Sequence, residues 1–157
     1  MSKITPFLWF DNQAEEAMNF YVSLFDNSKI VNVSRYGEGA PVPAGTVMSA
    51  TFKLDGQTVQ ALNGGPQFKF NEAISFFVSC ENQAEVDKYW NALTANGGEE
   101  GPCGWLKDKF GLSWQIVPKA LGEMLGDPDP DKSRRTMEAM LKMKKIDVLT
   151  LQKAYNG

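Results

Sequence analysis

Histidine is the most informative absence from this sequence, because none of its 157 residues is a histidine. The chain therefore lacks the commonest metal ligand and the usual general base near neutral pH. Only two cysteines occur, Cys80 and Cys103; two are too few for a disulfide framework and fit a reducing compartment. These absences argue against a histidine-based metal centre, a histidine-activated nucleophile and a disulfide-stapled fold.

Excess positive charge and long apolar runs are also missing. The formal net charge is -3, whereas a nucleic-acid binder needs a dense positive field. The uncharged apolar stretches are far shorter than the roughly 20 residues of a membrane span. Near the N-terminus, Asp11 interrupts the apolar run before the core of a signal peptide could form. We therefore expect no nucleic-acid partner, no membrane association and a cytoplasmic location.

An internal repeat is the most informative feature that is present. With 43% hydrophobic and 22% charged residues, the chain has the composition of an ordinary globular domain. When it is shifted by about 70 positions, residues 4–8 align with 74–78, and the tetrapeptide Asn-Gln-Ala-Glu at 12–15 recurs at 82–85. An identical tetrapeptide in register with matching apolar runs indicates a duplicated module.

Both copies begin with the same pattern. The short apolar runs 4–10 and 74–80 predict buried strands. Asn12 and Asn82 each precede a glutamate by three positions, which is the spacing of a helix N-cap box. Amphipathic helices are predicted to follow, and each copy is then predicted to add strands. The helices are expected at 13–25 and 83–95, and the later strands at 29–36, 46–54, 58–62, 103–107 and 112–117.

Each copy therefore has the pattern of a β-α-β-β-β module, and the predicted fold class is α+β. A single helix covers only one face of such a sheet, so two modules must bury their open faces together, which would form a cup. We predict one domain over 1–118, made of paired modules 1–66 and 67–118. A helical tail is predicted over 119–157, with helices at 120–125 and 130–144 and a last helix capped by Asp147. The lysine-rich stretch 140–145 could suit a membrane or a calmodulin-like partner, but we favour a tail docked on the core or on a neighbouring subunit.

Several segments together resemble the vicinal oxygen chelate superfamily, which includes glyoxalases, bleomycin-resistance proteins and extradiol dioxygenases, and in particular its PhnB-like branch. The resemblance implies the paired-module fold and a homodimer, as in many members, and it extends over nearly the whole chain, tail included. Its motifs are specific for the branch and not for an activity. The segments that carry it are ITPFLWF at 4–10, EAMNFY at 16–21, ISFFVSC at 74–80, CGWLKD at 103–108 and FGLSWQIVP at 110–118.

The resemblance also implies where a metal would be bound. Metal-dependent members use a histidine on the first strand of each module and a glutamate or glutamine on a later strand. The late-strand positions match Gln60 and Gln115, whereas the first-strand positions fall near 5–6 and 75–76, without histidine. A glutamine carbonyl is a weak ligand for zinc or nickel without imidazole or carboxylate beside it. We expect no transition metal in this site and no cofactor.

Members of the branch often carry the label demethylubiquinone methyltransferase. An enzyme that uses S-adenosylmethionine ordinarily needs a glycine-rich turn from a strand into a helix. The candidate turn at 37–39 is followed by Pro41 and Pro43, so no helix can start there. This activity is therefore a disfavoured alternative.

Five residues are the candidate ligand-binding residues. If the modules are placed as the resemblance implies, Gln60 and Gln115 face each other and orient a polar ligand; alternatively, their amides only satisfy buried polar groups. Trp105 and Trp9 could stack on a flat ligand, although strand aromatics usually belong to the core. Cys103 lies in a flexible segment beside them, but it has no histidine to activate it.

Other residues are assigned structural roles. Trp114, Phe52 and Tyr36 are further strand aromatics whose face the sequence leaves open. Cys80 is expected in the core, the acidic pair at 99–100 is expected to be solvated, and the Gly-rich stretch at 63–66 is expected to be a turn.

Three classes of function remain open. The leading hypothesis is a metal-free small-molecule pocket used for binding or sequestration, as in the bleomycin-resistance relatives. The second is an enzyme of unassigned reaction, with a polar pocket or a divalent ion held by oxygen ligands. The third is a non-catalytic partner that acts through the tail. An open aromatic pocket would favour the first, and a strongly perturbed thiol or carboxylate in it would favour the second.

Overall fold

Two four-stranded mixed sheets organise the chain, each in a separate unit. The computed structural model describes residues 2–157. The described residues up to Phe70 form the first unit, and Asn71–Gly157 form the second. Each sheet carries one α-helix on one face, so the predicted α+β fold with two modules of the same topology is confirmed.

The first unit has the strand order β1-β4-β3-β2, with β1 parallel to β4 and the other pairs antiparallel. Alternate residues of these strands are buried beneath the helix, whose own buried residues recur at helical spacing. Apolar burial between the helix and the sheet is what stabilises this unit. Its elements are β1 (Phe7–Phe10), α1 (Ala14–Leu24), β2 (Lys29–Arg35), β3 (Val47–Leu54) and β4 (Gln57–Asn63).

The second unit repeats this topology with the order β5-β8-β7-β6, and β5 is parallel to β8. The predicted β-α-β-β-β pattern requires a fourth strand here, but its residues were not located from the sequence, because the acidic pair Glu99–Glu100 was expected to be solvated; the pair is exposed. These two residues form β6, paired with β7, and the Glu100 carboxylate accepts a hydrogen bond from Trp90 Nε1 at 2.8 Å. The elements are β5 (Ser75–Cys80), α2 (Gln83–Thr94), β6 (Glu99–Glu100), β7 (Trp105–Lys107) and β8 (Ser113–Pro118).

The two module helices begin differently. Asn82 caps α2 as predicted, because its side chain accepts a hydrogen bond from the Glu85 amide at 3.0 Å. The prediction that Asn12 caps α1 is wrong. The first amide of α1, on Ala14, instead donates to Asn63 Oδ1 at 2.9 Å, and Asn63 Nδ2 donates to the Val47 carbonyl at 2.9 Å. The buried Asn63 side chain at the end of β4 therefore caps α1 in place of a residue next to the helix.

A buried carboxylate shapes the turn between β7 and β8. Asp108 Oδ1 accepts hydrogen bonds from the amides of Phe110 at 2.9 Å and Leu112 at 3.1 Å. Its Oδ2 accepts a hydrogen bond from Trp114 Nε1 at 2.9 Å. Buried charges are tolerated when they are hydrogen-bonded in this way. The turn and the register of the two strands are thus set by one side chain.

The tail forms three helices, α3 (Lys119–Leu125), α4 (Pro130–Met140) and α5 (Val148–Asn156). They enclose a small core of Leu121, Met124, Ile146 and Leu151. The helix α4 ends four residues earlier than predicted. No helix within residues 2–157 is long and apolar enough to span a membrane.

Hydrogen bonds dock the tail on the second unit, in agreement with the favoured expectation. The Cys103 and Gly104 amides donate to the carbonyls of Met143 and Lys144, each at 2.8 Å. The Gln83 side chain donates to the Ile146 carbonyl at 2.9 Å and accepts from the Val148 amide at 2.8 Å. The chain between α4 and α5 is therefore held as irregular backbone and does not continue as a basic helix.

We predict that Asn63→Ala lowers the free energy of unfolding by about 2–4 kcal/mol, because it leaves a helix amide and a strand carbonyl without partners. Asn12→Ala is the matched control and should change it by no more than about 0.5 kcal/mol. Urea unfolding of both variants measures the difference. Equal losses in the two variants would contradict the cap assignment.

Candidate functional site

Strand alternation assigns each sheet residue to the helix face or to the open face. In the first unit, Phe7 on β1 and Thr51 on β3 flank Gln60 in the register of the sheet. These positions have the opposite parity to the buried residues Leu8 and Val59. Gln60 and Phe7 therefore lie on the open face of the first sheet.

The second unit has a corresponding row. Phe77 on β5 and Trp105 on β7 flank Gln115 on the open face, and Gln115 Nε2 donates to Ser75 Oγ at 3.0 Å. Phe77 and Phe7 occupy equivalent positions in the repeat, and their side chains are 60% and 53% exposed. Each open face thus presents a glutamine beside an exposed phenylalanine. That Gln60 and Gln115 face each other stays a prediction.

Trp9 lies on the open face of the first sheet, but its side chain is engaged by contacts within the first unit. Its Nε1 donates to the Gly65 carbonyl at 2.9 Å, and its ring packs edge-on against Phe68 with centroids 4.9 Å apart. A Cβ atom on Gly64 would come within 2.4 Å of the indole ring. The Gly-rich stretch at 63–66 is therefore a close cover for Trp9, and only glycine fits at position 64.

The remaining strand aromatics divide by face. Phe52 and Trp114 point toward the helices and are 0% and 2% exposed. Phe76 packs edge-on against Trp114, with ring centroids 5.2 Å apart. The Tyr36 hydroxyl donates to the Asn63 carbonyl at 3.3 Å. Among the strand tryptophans of the second unit, Trp105 is on the open face and half-buried.

A cavity of about 400 Å³ lies in the second unit beside Trp105. Its apolar wall comes from Trp105, Leu106 and Pro102, and Gly101 brings backbone into the rim. Of the candidate residues named from the sequence, only Trp105 reaches it. The other lining residues are Glu72, Glu99, Glu100, Lys107 and Ser113.

Charged groups surround this cavity unevenly. The Lys107 ammonium forms an ion pair with Glu72. This hydrogen-bonded contact lowers the pKa of the Glu72 carboxyl and raises the pKa of Lys107, which the more distant Glu99 raises further. Both groups are well exposed, so solvent screens the pair. With three carboxylates and one ammonium, the rim is net negative.

Three lining residues, Lys107, Ser113 and Glu72, were not among the ligand-binding residues predicted from the sequence. The turn centred on Asp108 makes Lys107 and Ser113 direct partners across β7 and β8, so a hairpin register drawn from the buried Trp114 could have found both. Glu72 lies before β5, in the connection between the two modules. No local pattern signals its contact with Lys107.

Cys103 adopts a left-handed backbone conformation, with φ of 58°, between Pro102 and Gly104. Its neighbours Pro102 and Trp105 line the cavity, but Cys103 itself does not. The nearby lysines are engaged elsewhere, Lys107 with Glu72 and Lys109 over the ring of Phe110. Nothing described near Cys103 activates it as a nucleophile.

The superfamily metal positions hold residues that do not fit a transition metal. Ser75 and Gln115 are hydrogen-bonded to each other, and both offer only neutral oxygens. Within residues 2–157, no cluster of three His, Cys, Asp or Glu side chains could hold a metal ion. We therefore derive no chemical step through a bound metal.

The two thiols should differ sharply in reactivity. Burial raises the pKa of the Cys80 thiol to about 12, so at pH 8 only about one thiol in ten thousand is ionised. We expect a thiol-specific disulfide reagent to modify one cysteine per native chain, Cys103, and both after unfolding. Cys103→Ser should abolish the native reaction, whereas Cys80→Ser should preserve it. Two equally reactive native thiols would contradict this assignment.

Several proteins of known structure are similar to this chain. The PhnB protein of Bacillus cereus, which carries a 3-demethylubiquinone-9 3-methyltransferase name, is 43% identical over 74% of this chain and 99% of its own, with a TM-score of 0.68. The protein PA1353 of Pseudomonas aeruginosa is 21% identical over 75% of this chain and 98% of its own, with a TM-score of 0.61. The fosfomycin resistance protein FosX of Listeria monocytogenes is 14% identical over 78% of this chain and 97% of its own, with a TM-score of 0.53.

At 21% and 14% identity, the similarities to PA1353 and FosX show a shared fold and nothing more. No curated protein matches the chain. The family model described as 3-demethylubiquinone-9 3-methyltransferase matches residues 2–117. This match ends before the tail, and the expectation that the resemblance includes the tail stays a prediction. Taken with the two modules of matching topology, the family match and the similarity to the Bacillus cereus protein place the chain in the PhnB-like family of the vicinal oxygen chelate superfamily.

Proposed function

We propose that this protein binds a small organic molecule on the open face of its second sheet, without a histidine-based metal site. The observation that carries the proposal is the cavity of about 400 Å³ beside Trp105, a size within the range of small-molecule pockets. In the sheet register, Trp105 is the direct neighbour of Gln115. An aromatic wall next to an amide suits a ligand that has both a flat apolar part and a polar group.

Gln115, the strand neighbour of Trp105, is the amide proposed to orient a ligand on the open face of the second unit, and Gln60 is the amide proposed for that role on the open face of the first unit. Both are partly accessible and lie at corresponding positions of the two modules. An amide can donate and accept at once, so either residue could bind a carbonyl or a hydroxyl group. Trp9 and Cys103 contribute less to the proposal, because Trp9 is covered by Gly64 and Phe68 and Cys103 does not line the cavity.

The methyltransferase name attached to the family is not the activity that we propose. None of the three strand-to-helix connections contains glycine: residues 11–13 precede α1, residues 81–82 precede α2, and β8 passes directly into α3 at Pro118 and Lys119. The stretch at 37–39 leads into a loop that precedes β3 and not into a helix. A glycine-rich turn from a strand into a helix, as in a doubly wound nucleotide-binding fold, is therefore not among the described elements.

We further propose that the protein is a homodimer in the cytoplasm. Four large apolar side chains at repeat-equivalent positions, Ile4 and Ile74 and then Phe7 and Phe77, are more than half exposed in the single chain. Exposed apolar groups of this size, two of them on open sheet faces and two just before the strands, are favourable to bury against a second copy. Both cysteines are free thiols, which fits a reducing compartment.

A native mass spectrum of untagged protein from its own host tests stoichiometry and occupancy together. We expect a dimer of the 17.4 kDa chain that carries a reproducible small-molecule increment. Trp105→Ala should reduce the occupied fraction, because it removes the aromatic wall, whereas Trp9→Phe should retain most of it. A bare monomer, or a dimer that stays bare at every protein concentration, would contradict the proposal.

Metal titration tests the ligand set separately. Because the superfamily positions hold neutral oxygens, we expect neither zinc nor nickel to bind stoichiometrically and tightly at neutral pH. Isothermal titration calorimetry of metal-stripped protein measures this. One tightly bound equivalent that is lost in Gln60→Leu or Gln115→Leu would overturn the metal-free part of the proposal.

A further inference from the structure

We propose that the cavity of the second unit selects a planar aromatic ligand that carries a positively charged amine. The ring would lie on Trp105, the ammonium group would lie near Glu99, and a hydroxyl or carbonyl group of the ligand would hydrogen-bond to Ser113 Oγ. This inference rests on the proposed function and specifies the class of ligand.

Ser113 is the strongest sign that this cavity takes a ligand. Its side chain is only 1% exposed, and its Oγ has no hydrogen-bond partner among the described residues. Buried polar groups are nearly always paired, so an unpaired one requires an explanation. Ser113 lines the cavity, and a polar ligand atom there would complete its hydrogen bonding.

The surrounding hairpin makes this exception more informative. Asp108 is also buried in the same turn, yet it accepts hydrogen bonds from two amides and an indole. Lys107, the strand partner of Ser113, is engaged by Glu72. The hairpin therefore gives partners to Asp108 and Lys107 but none to the Ser113 hydroxyl, whose residue lines the cavity.

The charge of the rim favours a cation. Glu72 is neutralised by Lys107, and Glu100 accepts a hydrogen bond from Trp90 Nε1. The Glu99 side chain makes no hydrogen bond or ion pair within the described residues and acts on Lys107, its strand partner, only through its charge. A cationic ligand would gain from Glu99 and Glu100, whereas an anion would be repelled by both.

The wall of the cavity favours a flat ring. Trp105 is held by backbone hydrogen bonds on both sides, from its amide to the Pro102 carbonyl at 3.0 Å and from the Gly101 amide to its own carbonyl at 2.8 Å. The tail fixes the same segment through the Cys103 amide and the Met143 carbonyl, 2.8 Å apart. An indole on such a preorganised wall can stack on an aromatic ring and attract a cation through its face.

Three indole probes separate these contributions in the full-length protein. Tryptamine is a planar cation, indole-3-acetate has the same ring with a negative charge, and 5-hydroxytryptamine adds one hydroxyl group to the cation. At low ionic strength we expect tryptamine to bind about fivefold more tightly than indole-3-acetate. We expect 5-hydroxytryptamine to gain a further factor of about three to ten through Ser113. Calorimetry or ligand-observed NMR measures all three affinities.

Three variants locate the effects. Glu99→Gln should remove most of the preference for the cation, whereas Glu38→Gln, an exposed carboxylate of the first unit, should leave it unchanged. Ser113→Ala should abolish only the gain from the hydroxyl group. Its unfolding midpoint should stay equal to that of the native chain or rise, because no hydrogen bond within the protein is lost.

The outcomes distinguish this inference from the proposed function. A preference for indole-3-acetate, or a cation preference that survives Glu99→Gln, would overturn the ligand class. Failure of all three probes to bind would also overturn it, while a small molecule still seen in the native mass spectrum would leave the proposed function standing. If the probes fail and that spectrum is also bare, the binding function itself is contradicted.

Discussion

The carboxylate of Asp108 accepts three hydrogen bonds in the second unit, and the geometry of the candidate site depends on them. It closes the turn between β7 and β8 and holds the indole of Trp114 on the helix face. Because side chains alternate along a strand, Trp114 on one face requires Ser113 and Gln115 on the other. The hairpin that Asp108 closes thus places Trp105 and Ser113 on the face that borders the cavity.

The two modules share the same alternation of side chains along their strands but differ in what borders their open faces. Phe7 and Phe77 are equivalent in the repeat and lie beside Gln60 and Gln115 on open faces. In the first unit the neighbouring tryptophan, Trp9, is covered by the chain that follows β4. In the second unit the aromatic side chain lies on β7 instead, where it borders a cavity. Duplication therefore preserved the frame, while the connecting segments came to differ.

The tail adds a constraint that lies outside the family match, which ends at residue 117. Its carbonyls at Met143 and Lys144 accept the amides of Cys103 and Gly104, just before β7. A Cβ atom on Gly104 would come within 3.0 Å of the Ile116 carbonyl on β8, so the close packing of this segment against β8 depends on glycine at position 104. The tail thereby stabilises the segment that positions Trp105, although no tail residue lines the cavity.

The duplication, the two module helices, most strands and the matched glutamines could be predicted from the sequence, because each is written in local periodicity or in self-similarity. The absence of histidine likewise determined that any metal site would have to be built from other ligands.

Tertiary structure decided the rest of the fold and of the candidate site. Alternation shows which residues share a face but not which face is covered, so Trp105 and Trp114 could not be told apart beforehand. The cap of α1 comes from Asn63, 49 residues along the chain from the amide that it binds. This buried side chain binds the amide in place of the neighbouring Asn12, which the local sequence pattern had indicated. The unpaired hydroxyl of Ser113 and the ion pair of Lys107 with Glu72 depend on how the strands and the inter-module connection pack together. They could not be predicted, because contacts between residues distant in sequence produce no local sequence pattern.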